Sequence, residues 1–235
     1  MPLPEPYYTS PDGRIVLYCA DCRDVLPQLE PGSIDAVVTD PPYGIGLESH
    51  KGSEWSVTGD DDATLGAAVL AYCLMRWPVV AFASPMRPWP GQWHQYLVWD
   101  KGEAVGGGGD PRLYWKRTWE LIQVANLGTL NGRRDGAVLR YWVNPDSFPH
   151  HPCQKPLALL QYLVKKTTRP NAVVLDPFAG SGTTLVAAQA LGRRAIGVEI
   201  EERYCRIAVE RLRQQPLPLP EPEPVRQPAL LGEET

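Results

Sequence analysis

The stretch Ala172-Val173-Val174-Leu175-Asp176-Pro177-Phe178-Ala179-Gly180-Ser181-Gly182-Thr183 decides the fold of this 235-residue chain. Residues 172–175 are apolar, as expected of a short buried strand, and a helical pattern follows from Thr183 to about Leu191. Glycines at a strand-to-helix turn let the backbone approach a ligand closely, and ligands of open α/β sheets bind at the carboxyl ends of strands. The stretch therefore predicts a strand-turn-helix unit with a ligand at its turn.

An acidic residue at the end of the next predicted strand adds to this turn. Glu199 closes the apolar run 195–199, and a carboxylate at that place can accept hydrogen bonds from both hydroxyl groups of a ribose. The turn matches neither G-x-G-x-x-G nor G-x-x-x-x-G-K-[ST], so nothing in it demands a pyrophosphate. These residues predict a nucleoside ligand. The alternative is a plain α/β turn in which the helix dipole stabilises Glu199.

A second motif, Asp40-Pro41-Pro42-Tyr43, follows the apolar run 34–38. The two prolines remove two N–H donors, so the Asp40 carboxylate and the Pro41 carbonyl remain as acceptors. Two acceptors beside the aromatic ring of Tyr43 suit a planar group that carries an –NH2, such as a nucleobase. Accepting both hydrogens moves that nitrogen towards tetrahedral geometry and frees its lone pair. The alternative is a rigid β-turn, which the two prolines alone would satisfy.

Apolar runs of strand length alternate with helical patterns along the whole chain. Such alternation predicts a mostly parallel sheet with helices on both faces. We expect an α/β, doubly wound fold with seven strands at residues 15–19, 34–39, 78–83, 96–99, 119–125, 172–175 and 195–199. The six prolines between residues 214 and 235 predict a disordered tail after a single domain that covers residues 1–213.

Composition narrows the class of protein. A hydrophobic content of 43% with 21% charged residues is typical of a soluble globular chain, no apolar run spans a bilayer, and no signal peptide is evident, so we expect a cytoplasmic protein with no membrane contact. Five cysteines favour reduced thiols, and a single C-x-x-C at Cys19 and Cys22 predicts no metal site. The net charge of −4 argues against simple nucleic-acid binding, yet residues 85–170 carry 12 Lys/Arg against 6 Asp/Glu.

The two motifs together resemble the DNA amino-methyltransferases that use S-adenosylmethionine. The catalytic motif comes first and the cofactor motif lies near the C-terminus, which resembles the permuted β class. Three further segments are similar to that class, and the resemblance covers about residues 14–213: Cys19-Ala20-Asp21-Cys22, Val98-Trp99-Asp100-Lys101 and His151-Pro152-Cys153-Gln154-Lys155-Pro156. It implies a Rossmann-like fold with a catalytic half at about 14–126 and a cofactor half at 150–213.

The resemblance also implies roles for individual residues. The flipped base would be held by Asp40, Pro41, Pro42 and Tyr43. Asp176 would lie near the methionine amino group, Asp21 at the adenine, and Gln154 and Lys155 at the methionine end. The complete expected cofactor site consists of Asp21, Cys22, Gln154, Lys155, Asp176, Phe178, Gly180, Ser181, Gly182, Thr183 and Glu199. The implied reaction is in-line attack of the amine on the sulfonium methyl group, without a metal.

Residues 127–148 form the expected target-recognition segment, which is short for this class. Its candidate DNA contacts are Arg133, Arg134 and Arg140, with Lys51 and Trp55 in the polar loop before residue 63. A solvated basic loop is the alternative. A short segment implies a short or relaxed target site, or help from a second subunit in a homodimer. A cognate restriction endonuclease is a further partner that this class allows.

The base itself is a separate question. Aspartate at the first catalytic position is more typical of adenine-N6 enzymes of this class, and serine of cytosine-N4 enzymes, so Asp40 favours adenine N6. Cytosine N4 stays open. Weaker alternatives are an RNA or protein-amide methyltransferase, in which asparagine is more usual at this position, and a nucleic-acid-binding module without activity. A nicotinamide oxidoreductase would need a diphosphate-binding turn, which this sequence lacks.

Overall fold

The computed structural model describes residues 3–44, 63–102, 114–116, 118–142 and 154–214. These residues form five α-helices, one 3-10 helix and nine strands. In chain order the elements are β1 (Tyr8–Thr9), β2 (Ile15–Cys19), α1 (Cys22–Val25), the 3-10 helix (Leu26–Gln28), β3 (Ala36–Thr39), α2 (Thr64–Leu74), β4 (Val79–Ala83), β5 (Gln95–Asp100), β6 (Trp119–Ala125), β7 (Val138–Arg140), α3 (Leu157–Thr167), β8 (Val173–Asp176), α4 (Thr183–Ala190), β9 (Arg194–Glu199) and α5 (Glu202–Arg213).

All the strands belong to one sheet with the order β1-β2-β9-β8-β3-β4-β6-β5-β7. The five strands from β2 to β4 in this order are parallel, and β6 runs antiparallel to both of its neighbours. Because β4 and β5 are both antiparallel to β6, they point the same way, and so does β7, which is parallel to β5. The carboxyl ends of β2, β3, β4, β5, β7, β8 and β9 therefore share one edge of the sheet.

The predicted α/β fold is confirmed, but the predicted number of seven strands is wrong. Each predicted strand is present with its ends within two residues of the expected positions. The two additional strands are β1, with two residues, and β7, with three, and both lie at the outer edges of the sheet. Strands this short show no alternation of apolar and polar residues, so periodicity does not reveal them.

The sheet is covered on both faces, as the consecutive apolar residues of its central strands require. Val38, Val80 and Phe82 pack on one face with α3, α4 and α5. Val37 and Val79 pack on the opposite face with α1 and α2. Burial of both faces makes the sheet a rigid frame and leaves its carboxyl edge, where the strands end in loops, for binding.

Several expectations concern residues outside the described ranges. The proline-rich tail after residue 214, the loop that carries Lys51 and Trp55, and the segment from residue 143 to 153 all lie there. In the part of the chain that the structure describes, no helix has both the length and the apolar character that crossing a bilayer requires. Across the same residues, no group of three or more His, Cys, Asp or Glu side chains is arranged to bind a metal ion.

Candidate active site

Two strands that are adjacent in the sheet end side by side at its carboxyl edge. β3 ends at Thr39 and β8 ends at Asp176, and the parallel register places Val37 opposite Leu175. The hydroxyl group of Thr39 donates a 2.7 Å hydrogen bond to Oδ1 of Asp176. The turn that begins at Asp40 and the turn that follows Asp176 are therefore neighbours in space.

The proline pair of the first turn rests directly on helix α2. A Cβ atom added to Gly66 would lie 3.1 Å from Cβ of Pro41, 3.1 Å from the carbonyl oxygen of Pro42 and 2.7 Å from the ring of Trp89. Contacts this short leave no room for any side chain at position 66. Glycine at that position therefore lets α2 support the backbone of the turn.

Trp89 forms an aromatic wall beside the same turn, and its own position is fixed by hydrogen bonds. Its indole N–H donates to the carbonyl of Phe82 at 2.7 Å, and its backbone N–H donates to Oε1 of Gln123 at 2.6 Å. Gln123 is a fully buried polar residue of β6 and returns a bond from Nε2 to the Trp89 carbonyl at 3.1 Å. The ring of Tyr43 lies 6.0 Å from the Trp89 ring, so two aromatic groups flank the proline pair.

Both carboxylate oxygens of Asp40 accept hydrogen bonds. The Tyr43 hydroxyl donates to Oδ1 at 2.5 Å, and the Lys155 ammonium donates to Oδ2 at 2.6 Å. Burial raises the pKa of Asp40 above its usual range, against the opposing charge of Lys155. The sequence interpretation put Lys155 at the methionine end of the cofactor; in the structure its ammonium group contacts Asp40.

Lys155 is itself buried in largely apolar surroundings. Its ammonium group lies 5.1 Å from the ring centre of Phe82, 5.7 Å from that of Tyr43 and 5.9 Å from that of Trp99. Aromatic faces attract a cation, and the attraction grows where water is excluded. A second carboxylate, that of Glu120, places Oε2 at 3.3 Å from the same nitrogen. Lys155 thus bridges two carboxylates and lies within 6 Å of three aromatic ring centres.

Glu120 connects this bridge to a second lysine. The Lys101 ammonium donates a hydrogen bond to Oε1 of Glu120, while Oε2 is buried and has no hydrogen-bond partner among the described residues. Burial acts to raise the pKa of Glu120, but the charges of Lys155 and Lys101 outweigh it and hold the pKa below its usual range. Glu120 is therefore an ionised carboxylate at the start of β6, linked through Lys155 to the turn that begins at Asp40.

The second turn carries two glycines with left-handed backbone angles. Gly180 has φ +51° and Gly182 has φ +77°, which residues with a side chain adopt only with strain. A Cβ atom on Gly182 would lie 2.7 Å from Cβ of Ala208, so this glycine also lets α5 pack against the turn. At Gly180 the same point has no heavy atom of the described residues within 4 Å, apart from the glycine itself and its two chain neighbours. The turn is pressed against α5 at one glycine and open at the other.

Asp176, at the start of this turn, is a buried carboxyl group surrounded by donors. Besides the Thr39 hydroxyl, the backbone N–H of Phe178 donates to its Oδ1 at 3.1 Å, and the Thr184 hydroxyl is a further donor. Burial nevertheless raises the pKa of Asp176 to about 6, since these hydrogen bonds only partly offset the loss of water. A cation placed beside it would favour the ionised form.

Glu199 faces the same turn from the end of β9. Its Oε2 accepts the N–H of Gly180 at 2.8 Å, and its Oε1 accepts the N–H of Glu201 at 2.8 Å. Burial raises the pKa of this carboxyl group. Because each carboxylate oxygen has two lone pairs, both oxygens retain acceptor capacity for hydroxyl groups of a ligand.

Asp21 lies at the same edge because β2 pairs with β9. Cys19 is opposite Glu199, and Asp21 follows two residues later as the N-cap of α1. Its carboxylate binds the side chain of Arg23 at 2.6 Å, which lowers its pKa. The side chain of Cys22 is buried in the core, so a ligand contact from this residue has to come from its backbone.

A guanidinium group that the sequence interpretation missed fastens the glycine turn from behind. Nη1 of Arg211 donates to the carbonyl of Ser181 at 2.6 Å, to Oγ of Ser181 at 2.9 Å and to Oγ1 of Thr183 at 3.0 Å. Burial lowers the pKa of Arg211 to about 10. Ser181 in turn donates to Oε1 of Gln154 at 3.3 Å, so Gln154 contacts the glycine turn, and its role at a cofactor stays a prediction.

One expected DNA contact, Arg140, lies at the carboxyl edge of the sheet. Arg140 is the last residue of β7 and pairs with Asp100, the last residue of β5. The Nε atom of Arg140 lies 3.4 Å from Oδ2 of Asp100, and more than half of the arginine side chain is exposed. Its exposed guanidinium group suits a phosphate contact at the carboxyl edge of the sheet, where β5, β6 and β4 separate its strand from β3.

The loop of Arg133 and Arg134 lies at the far end of α3. The Asn131 side chain donates to the carbonyl groups of Lys165 and Thr168, at the C-terminus of that helix. The other end of α3 follows Lys155, which contacts Asp40. Because a helix of 11 residues is about 16 Å long, the two ends of α3 are well separated. The structure therefore does not bring Arg133 and Arg134 together with Asp40.

Residues of the site that were not among the predicted ones include Thr39, Trp89, Lys101, Glu120 and Arg211. Lys101 and Glu120 carried a usable signal, because a charged residue at the end or start of an otherwise apolar strand has to find a partner. Arg211 had none, since it sits in an amphipathic helix with other arginines. Thr39 looked like an ordinary strand residue.

Comparisons with known proteins identify the family. Residues 98–210 match the family of N6/N4 methyltransferases described as DNA methylase. Over 210 residues, the chain is 32% identical to “Putative methylase YubD” of Escherichia coli K12, covering 82% of this chain and 87% of that protein. The chain belongs to the N6/N4 DNA methyltransferase family. The prediction that this chain is a DNA methyltransferase is thereby confirmed. A shorter match, 46% over 67 residues, relates 28% of the chain to 23% of the DNA adenine methyltransferase YhdJ of the same organism.

Solved structures confirm the fold. The complex of M1.HpyAVI with S-adenosylmethionine aligns with a TM-score of 0.59 and 23% identity, covering 85% of this chain and 99% of that one. PvuII DNA methyltransferase, which is cytosine-N4-specific, aligns with a TM-score of 0.67 and 14% identity, covering 88% of each chain. At these identities the likeness concerns the fold, which is the Rossmann-like sheet expected from the sequence.

Proposed function

We propose that this DNA methyltransferase transfers a methyl group from S-adenosylmethionine to N6 of a flipped adenine in a specific DNA site. The observation that carries the proposal is the Thr39–Asp176 hydrogen bond of 2.7 Å. It joins the turn suited to an amine-bearing base with the turn suited to a nucleoside cofactor. A nucleophile bound at the first turn is thus adjacent to a methyl donor bound at the second.

The residues of the second turn fit S-adenosylmethionine. The Glu199 carboxylate retains acceptor capacity for ribose hydroxyl groups, and Gly180 leaves its side of the turn open. The buried carboxyl group of Asp176 supplies a counter-charge for the methionine amino group. Gln154, Phe178, Ser181, Thr183 and Asp21 complete the proposed set around the turn. When bound, S-adenosylmethionine supplies an electrophilic methyl group on its sulfonium.

The catalytic turn fits the amine of a flipped base. Flipping is required because an amine inside a stacked duplex is out of reach of the cofactor. The Asp40 carboxylate and the Pro41 carbonyl accept its two hydrogens, and Tyr43 and Trp89 supply aromatic faces for the ring. The Tyr43 hydroxyl uses one lone pair of Oδ1 of Asp40, and the second lone pair retains acceptor capacity for the incoming amine.

Catalysis then depends on alignment and charge. The first turn would hold the nitrogen of the base beside the methyl donor at the second turn, which would remove much of the entropic cost of the reaction. The bond between the methyl carbon and the sulfur would break as the nitrogen–carbon bond forms, and S-adenosylhomocysteine would leave. The ionised Asp40 stabilises the positive charge that develops on the nitrogen. The methylated amine is cationic and acidic, so its proton can pass to water without a dedicated base.

Adenine is favoured over cytosine by two observations. The residue before the proline pair is Asp40 rather than serine, and YhdJ, which resembles part of the chain, is named an adenine methyltransferase. Cytosine N4 is the second candidate, because the cytosine-specific PvuII enzyme has the same fold. The fold therefore does not discriminate between the two bases.

The DNA-binding surface and the chain's organisation are also proposals. Arg140 is the predicted DNA contact that lies at the carboxyl edge of the sheet, and Arg133 and Arg134 would reach DNA bound there only if the duplex extends along α3. The catalytic half at 14–126, the recognition segment at 127–148 and the cofactor half at 150–213 form one domain. A homodimer and a partner endonuclease stay predictions.

Expression in a host that lacks DNA methylation tests the proposal. Genomic DNA is digested to nucleosides and analysed by mass spectrometry, and long-read sequencing of the same DNA gives the sequence context. We expect N6-methyladenine in a short motif, and none in DNA from cells that express Asp40→Ala. N4-methylcytosine would transfer the proposal to the second candidate. No modified base in either analysis, from a folded protein that binds S-adenosylmethionine, would refute it.

A further inference from the structure

Four charged side chains from different parts of the chain form a row of alternating sign that ends at Asp40. Lys155 follows Asp40 in the row, Glu120 follows Lys155, and Lys101 follows Glu120. The side chains of Lys155, Glu120 and Lys101 are only 9%, 16% and 18% exposed. Charges removed from water in this way are stable only when they are paired, so the charge state of each member depends on the others.

The contacts within the row are unequal. Lys155 makes a hydrogen bond of 2.6 Å to Asp40, whereas its contact with Glu120 is a 3.3 Å ion pair to an oxygen without a hydrogen bond among the described residues. The other oxygen of Glu120 is bound by Lys101. Lys101 thus satisfies Glu120 and leaves Lys155 directed at Asp40. Without Lys101, Glu120 would compete with Asp40 for the same ammonium group.

We propose that Glu120 and Lys101 are positioning residues that set the charge and orientation of Asp40 through Lys155. The proposal rests on the proposed function, in which Asp40 receives the amine of the base. Neither residue touches the reacting atoms. Glu120 draws on the ammonium group of Lys155 and so opposes the ionisation of Asp40, whereas Lys101 occupies Glu120 and leaves Lys155 against Asp40. The balance of the two sets how far this buried carboxylate is ionised.

The groups that face Asp40 fix the sign of the expected effects. Tyr43 and Lys155 contact it directly, and the carboxyl groups of Glu120 and Asp176 act on it through their charge. Removing the negative charge of Glu120 lowers the pKa of Asp40. Removing the positive charge of Lys101 raises the pKa of Asp40 directly. It also raises this pKa indirectly, because Glu120 loses its bond to Lys101 and then attracts the Lys155 ammonium group away from Asp40.

The test is the pH dependence of kcat/KM for DNA with S-adenosylmethionine saturating, so that the acidic limb reports the ionisation of Asp40 in the cofactor-bound enzyme rather than that of Asp176 in the empty second turn. Glu120→Gln should move that limb to lower pH and Lys101→Met should move it to higher pH, each by about half a unit or more. Lys101→Arg, which keeps the charge, should restore the wild-type position. Asp35→Asn and Arg14→Met are the charge controls, because both residues directly precede a strand, at the edge of the sheet opposite Asp40, and should move nothing.

Opposite shifts support the proposal, because a merely structural defect lowers kcat without moving the limb in opposite directions. Unmoved limbs, or shifts of equal sign, in variants with normal circular dichroism would overturn it.

A wild-type protein that methylates no DNA would refute the proposed function instead. The row is then tested by NMR of protein labelled with carboxyl-13C aspartate, in which Asp40→Asn identifies the signal. The same opposite shifts of its titration are expected, and equal titrations in both variants would refute the proposal.

Discussion

The Thr39 hydroxyl group and the Asp176 carboxylate, 137 positions apart in the chain, are joined by a 2.7 Å hydrogen bond at the centre of the sheet. Thr39 is the last residue of β3 and Asp176 the last residue of β8, and the two strands are neighbours. The bond therefore connects the turn that begins at Asp40, the proposed catalytic turn, to the glycine turn, the proposed cofactor turn. It forms only when the C-terminal strands have inserted beside β3, so the site is complete only in the fully folded protein.

Removing the carboxylate of Asp40 should abolish methyl transfer and spare the cofactor. Asp40→Ala deletes the acceptor for the amine and the stabilising charge, and we expect a loss of about 1000-fold or more in kcat. Calorimetry should show nearly unchanged affinity for S-adenosylmethionine, since Asp40 belongs to the other turn. Weakened cofactor binding together with normal turnover would contradict this assignment.

Glu199 should govern cofactor affinity. Glu199→Ala removes the proposed acceptor of the ribose hydroxyl groups and also the acceptor that holds the N–H of Gly180. Two hydrogen bonds to a charged group suggest a rise of about 100-fold in the Kd for S-adenosylmethionine, measured by calorimetry. Glu210→Ala, which changes an exposed glutamate on α5, is the control. Equal Kd values in both variants would exclude Glu199 from the site.

Arg211 should matter for the cofactor although it lies behind the turn. Arg211→Ala leaves the Ser181 carbonyl and the Thr183 hydroxyl without their donor, so the turn loses its fixed shape. We expect the KM for S-adenosylmethionine to rise about tenfold or more while the KM for DNA stays constant. Arg206→Ala, an exposed arginine of the same helix, should change neither. A rise in both KM values for Arg211→Ala would argue for general loss of structure.

The carboxyl group of Asp176 should make folding stability depend on pH. Burial raises its pKa to about 6, whereas an unfolded aspartate titrates near 4, so the folded protein binds more protons between these values. Stability contributed by this group is therefore lost as the pH rises from about 4 to about 6, by about 3 kcal/mol at most.

Asp176→Asn cannot ionise and should escape this loss. Urea denaturation should show the variant to be more stable than wild type at pH 7.5, with the difference shrinking towards pH 4. Its affinity for S-adenosylmethionine should fall at the same time, because the counter-charge for the amino group is gone. A variant that is destabilised equally at both pH values would show that burial of the charge carries no cost here.

The positions of the arginines predict unequal effects on DNA binding. Arg140→Ala should weaken binding and reduce the slope of log K against log salt by about one, as loss of one phosphate contact does. Arg134→Ala should leave both unchanged, because that loop is attached to the far end of α3. Fluorescence anisotropy with a labelled duplex measures both quantities. Equal losses for the two variants would place DNA along the whole of α3.

The elements that could be predicted from the sequence are those for which one local signal is enough. The apolar runs before Asp40 and Asp176 predicted two strands, and the glycines and prolines after them predicted turns, because these residue types act on the backbone at their own positions. Prediction from the sequence failed for β1 and β7, which are too short for any period to appear. It also separated Lys155 from Asp40, since 115 positions of chain lie between them and only packing joins them.

The sequence by itself determined the order of strands and helices, the two turns and the family, because backbone preferences and motifs are written in neighbouring residues. The tertiary structure alone decided which charges meet. The row of charges consists of Lys101, Glu120, Lys155 and Asp40, which come from four separate segments of the chain. Arg211, which binds the glycine turn, likewise comes from a helix distant in sequence. A buried charge takes whichever partner the fold places within a few ångströms, and that distance is set by the packing of helices on the sheet.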